Sequence, residues 1–282
     1  MRAPPCHFGR SQRASGSQMP CCAPMKREND VLKQRQNCTG RLQAPKHIWV
    51  ILGLVASALG VFSEVTAGPL VQKVSHRELC VTNGVVSALR DGHLAIDTPS
   101  SRAVVRNAAV ADANQIAEIR FRYLGPSQIS KRLASGELRR QIGLKLRAAD
   151  TCNLIYVMWR IAPENRIAVS VKRNSGLHRH AQCGAGGYES ILPQASIDPP
   201  AIRPDEVRTL RAELHGAALT VAADGKVVWQ GRFADAPVAG PMGFRTDNAR
   251  FVIEHFAGGP LMRLDPSQAA PGASRCASST DD

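Results

Sequence analysis

Hydrophobic and polar residues alternate through most of residues 80–258, in short runs separated by glycine, proline and aspartate. In residues 117–123, Ile119, Phe121 and Tyr123 alternate with charged side chains, and residues 141–147 repeat the pattern. A period of two places alternate side chains on opposite faces of an extended chain. These runs therefore predict half-buried β-strands.

Turn sequences join these runs into hairpins. Residues 154–161 and 167–174 flank the turn sequence of residues 162–165, and Asp224-Gly225 separates two alternating runs near the C-terminus. Asp-Gly between alternating runs is a strong hairpin signal. Only residues 130–140 fit a helix. Regularly spaced short strands predict an all-β fold, a sandwich or a barrel.

One stretch departs from this pattern, because Ile48–Phe62 is apolar throughout and follows Arg41 and Lys46. Residues 65–67 place small residues at the −3 and −1 positions of a cleavage site. As a helix the stretch rises only ~22 Å, short of a ~30 Å hydrocarbon core. A signal peptide cleaved after Ala67 is therefore favoured, and an uncleaved signal anchor is the alternative. Both put the following domain outside the cytoplasm, periplasmic, extracellular or tethered to the inner membrane.

The chain divides into three predicted regions. Residues 1–46 are polar, basic and without apolar periodicity, which predicts disorder; a start at Met25 would shorten this region. Residues 47–67 form the hydrophobic core of the signal or anchor. Residues 68–282 form one β-sandwich domain with a core at about 80–258 and a flexible tail at 264–282, since about 215 residues suffice for one core.

Four of the eight cysteines follow the apolar stretch and would face an oxidising compartment. Four cysteines allow three pairings. Cys152 and Cys183 flank a predicted hairpin, whereas Cys80 and Cys276 lie near the two ends of the domain. We therefore expect disulfides Cys152–Cys183 and Cys80–Cys276.

The net charge of +13 is shared between the N-terminal region and the predicted domain, because residues 1–46 and residues 68–282 each carry about +7. A basic domain favours anionic partners such as acidic glycans, although solubility alone also explains the excess. No nucleotide-binding or nucleic-acid motif occurs, so we expect neither a cofactor nor a nucleic-acid partner. Membrane contact is expected only through the N-terminal hydrophobic segment.

The last third of the domain carries a longer motif. It reads Leu210-x-x-Glu-Leu-His-Gly, then Leu219-x-Val-x-x-Asp-Gly-Lys-Val-Val-Trp, then Gly240-Pro-Met-Gly-Phe-Arg-Thr-Asp-Asn-x-x-Phe, with Gly186-Gly-Tyr-Glu before it. This resembles the closing strands of concanavalin A-like lectin/glucanase domains, most closely the bacterial 3-keto-disaccharide hydrolase-type group. The resemblance covers residues 205–256 and implies a jelly-roll of two antiparallel sheets whose concave face often holds carbohydrate.

The resemblance leaves three functions open. Glucanases of this fold place catalytic carboxylates on one strand as Glu-x-Asp-x-x-Glu or Glu-x-Asp-x-Glu, and this sequence has no such triplet. A non-catalytic, exported carbohydrate-binding module is therefore favoured. A hydrolase of the keto-disaccharide type is the first alternative, with Glu118, Glu213 and His215 as catalytic candidates. A structural envelope protein without a small ligand is the second.

A cationic sheet face is the candidate ligand surface. If the apolar residues face the core, the opposite side of the strands presents basic side chains and one aromatic ring, suited to an anionic polysaccharide. The candidates are Arg120, Arg122, Lys145, Arg147, Tyr156, Arg160 and Lys172. The alternative is an ordinary solvated sheet face.

Several other residues have a structural interpretation that outweighs a functional one. His178, His180 and Cys183 have a spacing that could hold a transition metal, but Cys183 serves better as a disulfide partner, so no metal site is expected. Trp159 and Trp229 have apolar neighbours and are predicted to lie in the core. The motif residues 245–248 are predicted at the final turn.

Overall fold

The computed structural model describes residues 71–106, 108–109, 114–235, 239–259 and 262–263. The predicted disordered region, the hydrophobic segment at 47–67, the tail at 264–282 and Cys276 lie outside these residues. Within the described part of the chain, no helix has the length and apolar character needed to cross a bilayer.

The described residues form sixteen strands, one 3-10 helix at His76–Glu78 and one short α-helix, α1, at His180–Cys183. The strands are β1 (Gln72–Lys73), β2 (Leu79–Asn83), β3 (Ser87–Ala88), β4 (Leu94–Val105), β5 (Ala108–Ala109), β6 (Asn114–Pro126), β7 (Arg140–Leu146), β8 (Leu154–Ala162), β9 (Arg166–Lys172), β10 (Tyr188–Ile191), β11 (Ala195–Ser196), β12 (Val207–His215), β13 (Ala218–Ala223), β14 (Lys226–Arg232), β15 (Gly243–Gly259) and β16 (Met262–Arg263).

One curled antiparallel sheet runs in the order β10-β9-β8-β7-β15-β6-β12-β13-β14-β11. Strand β15 is 17 residues long and joins its two halves, because its first residues pair with β7 and its later residues pair with β6. Strand β4 pairs along the other edge of β15 and also with β2 and β3. The predicted all-β class, a jelly-roll sandwich of two antiparallel layers, is confirmed.

The core lies between the two layers. Trp159 on β8 meets Phe121 on β6 edge to face, with ring centroids 6.0 Å apart, and Phe121 also meets Phe251 on β15. Trp229 is buried as well, so both tryptophans are core residues, as predicted. Side chains alternate across a strand. The β6 residues on either side of Phe121 therefore point out of the core on one surface, and the β8 residues on either side of Trp159 point out on the opposite surface. We call these the β6 surface and the β8 surface.

The predicted hairpins form, and two local predictions are wrong. Residues 162–165 join β8 to β9, and Asp224 and Gly225, both with positive φ, join β13 to β14. The sequence Pro99-Ser100-Ser101 is a turn signal and predicts a turn between two strands, but β4 runs through it without a break. Residues 130–139 are a loop rather than a helix, and Arg140 begins β7, because the buried side chain of Asn248 donates to the carbonyls of Lys131 and Arg139 and holds the backbone open.

Candidate ligand-binding groove

Two adjoining pockets of about 310 and 360 Å³ lie on the β8 surface. They share lining residues, including Leu133, Ala185, Tyr188 and Arg245, and together we call them the groove. Its floor comes from β4, β7, β8, β9, β10 and the first residues of β15. Its walls are the loop at 131–135, which sequence reasoning interpreted as helical, and the loop at 184–187.

An exposed aromatic ring lies on the groove floor. Tyr188, the first residue of β10, is 44% exposed and stacks on buried Tyr156 of β8, with ring centroids 6.1 Å apart and planes inclined by 24°. The preceding Gly187 has φ +73°, and a Cβ on it would lie 2.3 Å from the carbonyl oxygen of Arg173. Only glycine fits this approach, so Gly187 fixes where Tyr188 enters the groove.

A buried ion pair supports the floor beside these rings. The carboxylate of Asp247 is fully buried and accepts hydrogen bonds from Arg245 Nε at 2.8 Å, Arg245 Nη2 at 3.2 Å and Gln141 Nε2 at 2.6 Å. Ser100 Oγ donates a further bond at 3.2 Å. The Arg245 guanidinium lies 5.1 Å from the centre of the Tyr156 ring. Burial lowers the pKa of Arg245, but the charges of Asp247, Tyr156 and Tyr188 and the hydrogen bonds to Asp247 together outweigh burial and leave that pKa raised.

Lys172 holds the wall that carries Tyr188. Its buried Nζ donates to the carbonyl oxygens of Thr151 at 3.1 Å and Gly184 at 2.7 Å, and lies 5.1 Å from the centre of the Tyr188 ring. The Cys152–Cys183 disulfide, predicted from the sequence, joins the same segments. The Cys80–Cys276 pairing involves a residue outside the described part of the chain and stays a prediction.

The two groove tyrosines differ in acidity because of their surroundings. Burial raises the pKa of Tyr156, but nearby cations outweigh burial and lower it. Those cations are Lys145, Arg245, Arg102 and Lys172. Burial, followed by the neighbouring Tyr156 charge, raises the pKa of Tyr188. The positive potential that acts on Tyr156 would act equally on a bound anion.

Hydroxyl groups and further basic side chains, Arg160 among them, also line the groove. Tyr156, Ser170 and Ser190 are register neighbours across β8, β9 and β10, and both serine side chains line the larger pocket. Arg160 lines the same pocket, and within the described residues it has no ion pair, while its buried Nε has no hydrogen-bond partner. Burial and the neighbouring Arg139 and Arg166 lower the pKa of Arg160 to about 10.

The structure divides the seven predicted ligand residues between two surfaces. Tyr156 and Arg160 line the groove, whereas Lys145, Arg147 and Lys172 are buried. Lys172 thus faces the groove wall rather than solvent. Arg120 and Arg122 lie on the opposite, β6 surface, where both pair with Glu254, at 3.1 and 2.8 Å. The prediction of one continuous cationic face is therefore wrong for these two arginines, because β6 and β8 belong to different layers.

The three catalytic candidates also lie on the β6 surface and away from the groove. Arg211 bridges Glu118 at 3.2 Å and Glu213 at 2.6 Å, and His215 lies 3.6 Å from Glu213. The hydrogen bond from Arg211 holds the pKa of Glu213 below its usual range. A carboxylate kept ionised in this way is a poor proton donor.

The histidine-rich segment is occupied by other contacts. Cys183 is bonded to Cys152, and His178 Nδ1 lies 2.8 Å from Asp150 Oδ2. Among the described residues, no group of three or more histidines, cysteines and carboxylates is arranged to hold a metal ion.

Sequence reasoning missed most of the groove. Ser170 and Ser190 were not singled out as ligand residues, and neither was Tyr188, although it stands in the Gly186-Gly-Tyr-Glu stretch of the resemblance. Arg245 and Asp247 were assigned to a turn, but they lie within β15. Their spacing of two was the available signal, because it puts both side chains on one face of a strand.

Comparison with known proteins finds similarity at the level of structure alone. No protein-family model matches the chain, and no curated protein matches its sequence. Among solved structures, a carbohydrate-binding module (CBM66) from Bacillus subtilis is 12% identical, with a TM-score of 0.46, over 65% of this chain and 96% of its own.

Two further structures are similar. The Emp47p carbohydrate recognition domain is 13% identical, with a TM-score of 0.43, over 66% of this chain and 90% of its own. A galectin, LEC-6, from Caenorhabditis elegans is 7% identical, with a TM-score of 0.36, over 66% of this chain and 99% of its own. At these values no function is transferred to this chain. None of the three is a 3-keto-disaccharide hydrolase, so that finer resemblance stays a prediction.

Proposed function

We propose that this domain binds carbohydrate in the groove without cleaving it, and that its ligand is an anionic polysaccharide outside the cytoplasm. The observation that carries the proposal is the exposed ring of Tyr188 on a floor lined by hydroxyl groups. Sugar rings pack their apolar faces on aromatic side chains, while their hydroxyls need hydrogen-bond partners of the kind that Ser170 and Ser190 offer.

The absence of groove carboxylates supports binding without cleavage. Glycoside hydrolysis generally needs two carboxyl groups flanking the scissile bond. Among the described residues, no aspartate or glutamate lines either pocket, and the nearby carboxylate of Asp247 is buried and bonded to Arg245. The catalytic candidates Glu118 and Glu213 lie on the other surface of the sandwich.

The charge of the groove favours an acidic ligand. Arg102, Lys131, Arg139, Arg160 and Arg245 all line it. Their attraction for an anion acts over a Debye length of about 10 Å at 0.1 M salt and weakens as salt rises. Binding to an acidic polymer should therefore weaken with added salt, whereas binding to a neutral polymer should not.

Replacing Tyr188 by alanine tests the groove as the binding site. We expect Tyr188→Ala to weaken binding to an acidic polysaccharide at least about tenfold, because truncating a central aromatic anchor commonly costs over 1–2 kcal/mol. The measurement is calorimetric titration with polygalacturonate, alginate, hyaluronan and chondroitin sulfate, each beside its methyl-esterified or desulfated form.

The matched control is Tyr188→Phe, which keeps the ring and removes the hydroxyl, and it should stay within about threefold of the native affinity. Equal binding by the native domain and Tyr188→Ala would exclude the groove floor as the site. If the native domain bound none of the four polymers, the anionic-polysaccharide proposal would fail, and the structural envelope role would be preferred.

Export is the second part of the proposal. The Cys152–Cys183 disulfide supports it, since such bonds persist mainly in oxidising compartments. Expression of the full chain in a bacterial host should give a periplasmic or secreted protein that begins at Gly68 on N-terminal sequencing. A full-length protein in the membrane fraction would indicate the uncleaved anchor instead, and a soluble full-length protein in the cytoplasm would contradict export.

A further inference from the structure

Three arginines lie together at one end of the groove, and two of them have an ion pair among the described residues. Arg139, Arg160 and Arg166 lie close enough together to lower the pKa of Arg160. Glu137 pairs with Arg139, and Glu164 pairs with Arg166 at 3.2 Å. The third arginine, Arg160, is left without an ion pair among the described residues.

The position of Arg160 is unfavourable for the folded domain by itself. Arg160 on β8 is the direct register partner of Arg166 on β9. Like charges directly opposite on antiparallel strands destabilise the pair. In addition, the Nε of Arg160 is buried without a hydrogen-bond partner, which leaves the cost of its desolvation uncompensated. An anion bound to the exposed part of this guanidinium would relieve the repulsion and would offset part of the desolvation cost through its charge.

The other cations near the floor are already engaged. Arg245 is bonded to Asp247 in two places, and Lys172 is bonded to the backbone of the wall. Arg160 also lies between two cavities, because it lines the larger groove pocket and a third pocket of about 310 Å³ beside Arg166. A ligand can therefore reach its guanidinium from the groove.

The spacing along β8 shows where an acidic group would have to sit. Tyr156, on which the exposed Tyr188 ring stacks, and Arg160 are four residues apart on β8. At ~3.3 Å per residue their Cα atoms are ~13 Å apart. The separation between these two backbone positions is longer than one sugar ring, so we place the ring that packs on Tyr188 and the acidic group at Arg160 in different residues of an oligosaccharide.

We propose that Arg160 is an acid-binding subsite for the carboxylate of a uronate residue in an oligosaccharide, separate from the sugar residue that packs on Tyr188. This rests on the proposed function of the groove. The subsite makes the groove select chain length as well as charge: an acidic oligomer fills both positions, whereas an acidic monosaccharide fills only one. The guanidinium would bind the carboxylate through two parallel N–H···O bonds.

The test compares Arg160→Met with Arg120→Met. Both remove one positive charge from a strand arginine, but Arg120 lies on the β6 surface and pairs with Glu254. The probes are monomers and oligomers prepared from polygalacturonate, alginate, hyaluronan and chondroitin sulfate, with methyl-esterified oligomers as neutral counterparts, measured by calorimetric titration.

Arg160→Met should weaken binding of acidic oligomers by about tenfold to a hundredfold, the range for losing hydrogen bonds to a charged group. Its affinity for esterified oligomers and for acidic monomers should stay within about threefold of that of the native domain. The affinity of Arg120→Met for every probe should also stay within about threefold. The urea midpoint of Arg160→Met should not fall, because the repulsion with Arg166 is relieved.

Three results would overturn the proposal. One is native binding of acidic oligomers that Arg160→Met leaves unchanged. A second is an equal loss for acidic and esterified oligomers with a lower urea midpoint, which would show a structural role for Arg160. The third is selective loss for sulfated oligomers, which would assign the subsite to sulfate. If the native domain bound no acidic probe at all, the proposed function itself would fail first, and this subsite would fall with it.

Discussion

Replacing Asp247 by asparagine is expected to lower the free energy of unfolding by about 3–5 kcal/mol, the usual cost of removing one partner of a buried ion pair. The carboxylate is fully buried and accepts four hydrogen bonds, two of them from Arg245. Asparagine has nearly the same shape, so the loss reports charge and hydrogen bonding rather than volume. Urea denaturation followed by tryptophan fluorescence measures the change.

The free energy of unfolding falls this much because Asp247→Asn leaves the buried cations of the groove without their carboxylate. Without the Asp247 charge, the Arg245 guanidinium stays buried against the Tyr156 ring, and Lys145 and Lys172 lie close enough to lower the pKa of the same tyrosine. No other described carboxylate lines the groove to replace the lost one. The double variant Arg245→Met/Asp247→Asn should recover part of the stability, because it removes the uncompensated charge as well.

The matched control is Glu254→Gln on the β6 surface. It also changes an acid to its amide and also leaves arginines behind, but the side chains of Arg120 and Arg122 are 56% and 41% exposed, so water screens their charges although Glu254 is 16% exposed. Exposed pairs contribute about 0–1 kcal/mol, so Glu254→Gln should change the free energy of unfolding by less than about 1 kcal/mol. An equally small change for Asp247→Asn would show that the buried pair does not stabilise the floor.

Alternation along the sequence was sufficient to predict the strands and the fold class. Ile119, Phe121 and Tyr123 identified the buried face of β6, and Asp224-Gly225 identified a hairpin, because both signals depend only on local geometry. The same reasoning put Cys152 and Cys183 in reach of each other across the hairpin formed by β8 and β9. Most predictions that rest on neighbours along the chain therefore held, and the exceptions are the turns at 99–101 and 245–248 and the helix at 130–140.

The groove could not be predicted in the same way, because its composition depends on strand order. Strand β15 lies between β7 and β6 although it comes last of the three in the sequence. That order places Arg120 and Lys145 in different layers, although both alternate with apolar residues. It also brings Arg245 beside Tyr156, about ninety positions away in the chain. Alternation identifies two faces of each strand, but it does not identify which strands share a surface.

The prediction that Lys172 faces solvent was wrong, because a charged side chain in an alternating strand was taken to be exposed. Lys172 alternates with Val169 and Val171 as a solvent-facing residue would, yet it is 1% exposed. The difference arises because residues 179–187, which form helix α1 and the loop after it, cover the end of β9, and the carbonyl oxygens of Gly184 and Thr151 replace water around the ammonium group. A covering loop leaves no periodic signal in the strand that it covers.

That covering loop leads to the second large expected effect, since the Cys152–Cys183 disulfide fastens it to the segment before β8. The bond closes a loop with a sequence separation of 31 residues, for which the chain-entropy model gives about 3–4 kcal/mol. The double variant Cys152→Ala/Cys183→Ala should lose about that much free energy of unfolding in urea denaturation.

Loss of the disulfide should also weaken binding, because the loop ends at Tyr188. The backbone N–H of Arg173 donates to the carbonyl of Gly187 at 2.9 Å, and Lys172 donates to Gly184, so the loop has other attachments. Ordering even one or two freed residues on binding costs about 1–2 kcal/mol each, or roughly tenfold in affinity. Titration with whichever of the four acidic polymers the native domain binds most tightly measures this.

Measuring both the free energy of unfolding and the affinity of the double variant distinguishes a stabilising role of the disulfide from a role in positioning Tyr188. A double variant that loses stability but binds as the native domain does would show that the remaining hydrogen bonds alone position Tyr188. A variant that loses neither would show that the segment before β8 and residues 174–178 are held together by the Asp150, Asn153 and Asn174 side chains instead. We expect both losses, because the disulfide is the covalent link between the groove wall and the layer that carries Tyr156, and the rings of Tyr156 and Tyr188 meet across that junction.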